Sequence, residues 1–126
     1  MNVNEKSQTW LQEYYRHIDA METDAYMSMF AEDARMIFAN GDPLEGRDAI
    51  RQALTGLLGS VDGIRHILHN AWQVEDDLVG FECDVVYNRK DGKEVTIRGG
   101  CFFVLPQDGL CREQRIYVDT SPVFAD

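Results

Sequence analysis

Apolar residues recur at helical spacing early in the chain and alternate at strand spacing later. Trp10, Leu11, Tyr14, Tyr15, Ile18 and Met21 lay one apolar stripe along a predicted helix over 7–21. Thr23 is suited to cap a short second helix, with Asp24 at its positive end and Tyr26, Met29 and Phe30 facing the core. A strand is expected over 34–39, followed by the turn residues Asn40-Gly41-Asp42-Pro43. A third helix over about 47–58 would bury Ile50, Ala53, Leu54, Leu57 and Leu58. Beyond Asp62-Gly63 the pattern becomes four long strands, over 64–75, 78–88, 94–105 and 110–119. Asp76-Asp77, Lys90-Asp91-Gly92-Lys93 and Pro106-Gln107-Asp108-Gly109 are the turns between them. Helices first and an antiparallel meander after them indicate an α+β domain.

Length makes this a single domain over 1–126, with its core at about 7–119. The formal charge of −10 repels phosphate backbones and anionic lipid, so neither nucleic acid nor a membrane surface is an expected partner. The longest apolar run, Cys101-Phe102-Phe103-Val104-Leu105, is far too short to span a bilayer. Cys83, Cys101 and Cys111 are odd in number, share no metal-ligand spacing and lie in apolar strand-like segments. Free thiols in a reducing compartment, and so a cytoplasmic location, are the expectation.

Two groups of residues carry a family resemblance. The first is Tyr14-Tyr15-Arg16-His17-Ile18-Asp19-Ala20-Met21, running on through a short second helix that ends in Phe30-Ala31-Glu32-Asp33-Ala34. The second is Leu44-Glu45-Gly46-Arg47-Asp48-Ala49-Ile50-Arg51, which opens the third helix. Their order and wording resemble the nuclear transport factor 2-like superfamily, in its SnoaL-like and ketosteroid-isomerase-like branch. The resemblance implies a cone-shaped α+β barrel: three N-terminal helices enclosed by a bent antiparallel sheet, with a mostly apolar pocket at the open end. It implies dimerisation too, because members commonly pair through the outer sheet face, here expected to offer Ile67, His69, Ala71, Arg115 and Tyr117.

Strand alternation puts His66, Leu68, Asn70 and Trp72 on one face of the first long strand. His66 falls where the related scytalone dehydratases carry a catalytic histidine; it either moves a proton or is a histidine hydrogen-bonded in the barrel for packing. Tyr14 aligns on the tyrosine with which ketosteroid isomerases hold a developing enolate oxygen, a task that suits a phenol because it donates a hydrogen bond while staying neutral. The bland alternative for Tyr14 is a core-filling ring, and Tyr15 competes with it for the pocket face. Asp84 overlays an acid of the limonene-type epoxide hydrolases, although Phe81, Cys83, Val85 and Tyr87 form the more apolar face of that strand. Arg98 shares a face with Gly100 and Phe102, either as a cation at the pocket rim or as a partner of surface acids.

Departures from the enzyme families are as informative. The isomerase base falls at Phe38, its partner acid at Gly100, and the second hydrolase aspartate at Ile116. The expectation is a pocket lined by Tyr14, Tyr26, Phe30, Phe38, Leu54, His66, Trp72, Phe102 and Val118, with Asp84 and Arg98 as further candidates. Its ligand would be a small, mostly hydrophobic organic molecule, handled by acid–base chemistry of isomerase, cyclase, dehydratase or hydrolase type, with no cofactor or metal. A dimeric, non-catalytic ligand-binding or accessory domain is the competing expectation.

Overall fold

Asn4, earlier than the apolar stripe suggests, starts the first helix: its side-chain oxygen accepts the Ser7 N–H at 2.8 Å. The structure, a computed structural model, describes residues 2–125, so Met1 and Asp126 of the expected domain span lie outside it. Helix α1 (Glu5–Asp19) is followed by α2 (Thr23–Met27), strands β1 (Phe30–Phe38) and β2 (Leu44–Glu45), and helix α3 (Arg47–Gly59). Strands β3 (Val61–Glu75), β4 (Leu78–Arg89), β5 (Glu94–Val104) and β6 (Cys111–Val118) come next, and a one-turn helix α4 (Ser121–Phe124) ends the order.

Local details depart from the periodicity in explicable ways. Thr23 is the first residue of α2, not its cap, and no side chain caps that helix. Phe30–Ala34 is already strand rather than helix: Phe30 pairs with Cys111 of β6, and Phe30, Ala31 and Ala34 are buried while Glu32 and Asp33 stay exposed across an irregularity in that pairing. Ala53 faces solvent, and Ile50, Leu54 and Leu58 are the buried residues of α3.

The six strands form one curved open sheet in the order β2-β1-β6-β5-β4-β3. All neighbours are antiparallel except β1 and β6, which run parallel, joining the first strand to the end of the meander. Helices α1 and α3 lie against the sheet and fill its curve. Three bulges in the β3–β4 pairing supply bend. The one between Leu68 and Asn70 has a second effect: His69 is an extra residue, and the side-chain phase of β3 reverses beyond it. Ala71 therefore points into the core, fully buried, while Trp72 stands outside at 43% exposure. This corrects the expected faces of both residues.

Aromatic rings fill the space between helix and sheet. Phe103 meets Phe81, Trp10 and Tyr14 edge to face, at centroid distances of 4.8, 5.9 and 6.2 Å. Trp10 stacks on Tyr14 at 4.7 Å, and its indole N–H donates to the Gly109 carbonyl. Such pairs add about 0.5–1.5 kcal/mol each beyond the apolar area they bury. Among the described residues no helix is long and apolar enough to cross a membrane.

Candidate functional site

The concave side of the sheet and helices α1 and α3 enclose a cavity of about 50 Å³. Apolar side chains make most of its wall, including Phe38, Leu54, Leu58, Ile116 and Val118. That volume is small beside the roughly 300–1,000 Å³ of ordinary small-molecule sites, so all but the smallest ligands must displace side chains to enter.

Polar groups interrupt the wall in two places. The first is His66, whose Nδ1 lies 2.6 Å from Asp19 Oδ1, while its backbone N–H donates to Asp19 Oδ2 at 3.0 Å. Asp19 is the last residue of α1, so both carboxylate oxygens are used to hold one residue of β3. With Nδ1 donating to a carboxylate, Nε2 is the ring nitrogen available to a ligand, and the carboxylate stabilises the imidazolium if Nε2 takes a proton. The Tyr15 ring stacks on the imidazole at 4.2 Å and fixes its plane. Both faces of orientation are thus specified, by a charged hydrogen bond and by an aromatic surface. Sequence reading missed Asp19, which lies 47 positions from its partner.

The second place is the buried end, where Tyr14 and Gln114 meet. Tyr14 is 2% exposed and Gln114 is fully buried. Burial pushes the Tyr14 phenol well above its ordinary range, and the Gln114 amide beside it acts the other way. Burial likewise pushes up Tyr15, whose ring keeps partial exposure, and takes Tyr87 to about 12. All three phenols therefore remain neutral hydrogen-bond donors at physiological pH. Both Tyr14 and Tyr15 line the cavity, so the choice between them dissolves.

Cys83 and Cys101, also on the wall, sit diagonally on the neighbouring strands β4 and β5. The hydrogen bond from Cys101 lowers Cys83, whereas Cys83 and burial together push Cys101 far up. Gly99 leaves the room they need, since a Cβ there would stand 3.3 Å from Cys83 Sγ and 3.1 Å from a Val118 methyl. The three cysteines are free and buried. Among the described residues no group of three His, Cys, Asp or Glu is arranged to hold a metal.

Of the other expected lining residues, Phe38, Leu54 and Val118 are on the wall. Tyr26 and Phe30 are fully buried in the core behind it. Trp72, reversed by the bulge, and Phe102 stand on the convex face, because the inward residues of β5 are Ile97, Gly99, Cys101 and Phe103. Arg98 shares that outward phase and is exposed. Asp84 is outside as well, where it pairs with His69 at 2.9 Å and lies opposite Arg98 in the strand register. The acid predicted by the hydrolase overlay is therefore part of a surface charge cluster, and the apolar face of β4 faces the cavity.

The SnoaL-like domain profile matches residues 11–114. The chain belongs to the SnoaL-like family. No match is found among curated proteins. Solved structures share the fold at low identity. One is a nuclear transport factor 2-like protein of unknown function from Exiguobacterium sp. 255-15: 22% identity, 87% of this chain, 98% of that one, TM-score 0.75. Another is SalBIII, an epoxide hydrolase/cyclase-like enzyme of pyran ring formation in the polyether salinomycin: 20% identity, 96% of both chains, TM-score 0.81. A third is RV0760c of Mycobacterium tuberculosis in complex with estradiol-17beta-hemisuccinate: 14% identity, 92% of this chain, 95% of that one, TM-score 0.78.

Proposed function

We propose that this SnoaL-like protein binds a small, mostly apolar organic molecule in its cavity and carries out cofactor-free general acid–base chemistry on it, of isomerase, cyclase, dehydratase or hydrolase type. The observation that carries this reading is the Asp19–His66 pair at the cavity wall, with Nδ1 held at 2.6 Å. A histidine kept only for packing has no need of a carboxylate that spends both oxygens on it. The ligand-bound and cyclase-like relatives support a small organic ligand of this kind. His66 would transfer the proton and Tyr14 would hold an oxygen.

Phe38 and Ile116 favour a second reading, a binding domain without chemistry, because inert side chains stand on the wall where related enzymes carry acids. A non-titrating probe separates the two. The compound 1,4-cyclohexanedione presents an oxygen at each end, so one end faces His66 whichever way it enters. Its affinity should depend on pH between about 5.5 and 8, and His66→Gln should flatten that profile. A flat profile in the parent protein from pH 5.5 to 8 would move the assignment to the binding domain.

A homodimer through the convex sheet face is part of the same proposal. The bulge revises its composition: Trp72, Val74, Phe102 and Tyr117 are the large exposed apolar residues there, with the Arg115 guanidinium 5.5 Å over the Phe102 ring. Ala71, fully buried inside, drops out. Light scattering at micromolar concentration should give twice the 14.4 kDa chain mass, and Tyr117→Asp with Phe102→Asp should halve it. A monomeric parent would refute the dimer.

A further inference from the structure

Gln114 is the only residue among those described whose side-chain oxygen and nitrogen are both buried without a hydrogen-bond partner. It is fully buried on β6 and lines the cavity. Leaving a buried amide unpaired is costly, and an apolar residue of similar volume would avoid the cost. Tyr14 and Cys111 lie beside the amide but make no well-formed bond to it. The side chains at its paired positions on β5 and β1, Phe103 and Met36, have nothing to offer a polar group. The unpaired amide therefore points to a partner that comes from outside the chain.

We propose that the Gln114 amide and the Tyr14 phenol form a separate polar subsite at the buried end of the cavity, which takes a carbonyl or hydroxyl oxygen of the ligand. The amide N–H and the phenol O–H donate to a carbonyl; for a hydroxyl, the amide oxygen accepts the hydrogen bond that the O–H donates. Gln114 and Tyr14 are almost fully buried, whereas Phe38, Leu57, Ile116 and Val118 are half-buried, so this subsite receives the leading end of a ligand that enters between the latter.

Distance decides what the two polar places can share. His66 on β3 and Gln114 on β6 are three strand spacings apart in the sheet order, about 14 Å if the sheet were flat. Curvature shortens that, but a single carbonyl and its own α-hydrogen are too close together to serve both. The substrate class follows: a ring compound with an apolar body, one oxygen at the leading end, and the exchangeable proton on the far side of the ring, toward His66. The position of that proton rests on the acid–base reading above, whereas the oxygen subsite does not.

The test uses two probes of nearly equal shape, cyclohexanone and methylenecyclohexane, which differ by an oxygen in place of a methylene. In the parent protein the ketone should bind more tightly. In Gln114→Leu the ketone should lose about tenfold and the hydrocarbon should gain, which reverses the preference. An unchanged ratio of the two affinities would overturn the subsite. Gln114→Leu should also melt higher than the parent, since it removes two unpaired buried polar atoms; a lower melting temperature would show that the amide makes a structural bond, and the inference would fall.

Two further measurements keep the outcomes apart. The side-chain ¹⁵N–¹H₂ resonances of Gln114 in the parent should shift with cyclohexanone and stay still with the hydrocarbon, and no shift with the ketone would overturn the proposal even if the variant failed to fold. His66→Gln should leave the ketone-to-hydrocarbon ratio unchanged; a collapse there would place the oxygen at His66 and refute the Gln114 subsite while leaving the acid–base reading intact. Conversely, a flat pH profile for the dione together with a reversed preference in Gln114→Leu would remove the chemistry and keep the subsite.

Discussion

In the His66→Gln variant, exchange of the ring hydrogens of 1,4-cyclohexanedione into heavy water should slow by about 10²–10⁴-fold relative to the parent, with the fold intact. Every ring hydrogen of this probe is α to a carbonyl, so a base anywhere along its length meets an acidic C–H. The base available is His66 Nε2, because Nδ1 is committed to Asp19 at 2.6 Å. Glutamine fills similar space and can still present an amide to Asp19, but it cannot accept and return a proton. Mass spectrometry of the recovered probe measures the rate, and circular dichroism reports whether the variant is folded. Equal exchange in parent and variant would remove His66 from the mechanism.

Asp19→Asn sharpens the same prediction. Asparagine can still accept the His66 backbone N–H, now made to Oδ2 at 3.0 Å, through its amide oxygen. Its NH₂ then faces Nδ1, which favours the tautomer with the hydrogen on Nε2 and so turns the base into a donor. A serine-protease aspartate changed in this way costs about 10⁴-fold through the wrong tautomer, with the geometry preserved. The exchange rate should therefore fall substantially although the histidine is still present. If Asp19→Asn kept the parent rate, Asp19 would be only a structural tie between α1 and β3.

How much of this was legible in the chain depends on the range of the interaction. Strand alternation placed Cys83, Val85 and Tyr87 inside and Arg115 and Tyr117 outside, as found, because alternation is a property of each strand alone. The fold class was legible for the same reason, through a helical period giving way to a period of two. Trp72 was misplaced because a single extra residue, His69, reverses the phase, and nothing in the sequence around it marks the bulge. Asp84 was carried by an overlay onto other enzymes, which transfers position but not side-chain phase, and Arg98 was a candidate only if its face of β5, shared with Gly100 and Phe102, turned inward, which it does not. Asp19 left one faint signal: an acid at the last turn of a helix sits against the negative end of the macrodipole, so it needs another reason to be there. Its partner on β3 supplies the reason, and only tertiary structure brings them together. Gln114 could be assigned to the inward face, yet its lack of partners is a property of the packed interior and has no sequence signature.

Phe103→Ala should cost about 3–5 kcal/mol of stability, the largest single loss expected in this protein. Phe103 is 1% exposed and is the common neighbour of Phe81, Trp10 and Tyr14, each meeting it nearly edge-on. Truncation loses the ring's transfer energy, three aromatic contacts and the atoms that fill the space between α1 and the sheet. Against a typical total of about 5–15 kcal/mol, that leaves a marginal fold, measurable as a lower urea midpoint with an unchanged slope. The new void also opens onto the existing cavity, since Phe103 is on its wall beside Tyr14 and Gln114. An apolar guest should therefore restore part of the loss: benzene, at concentrations well above its dissociation constant, should raise the midpoint of Phe103→Ala by more than it raises that of the parent. A loss below about 1.5 kcal/mol would mean that neighbouring rings collapse into the gap. In that case the buried end of the cavity is plastic, and Gln114 sits in a wall that can yield to larger ligands.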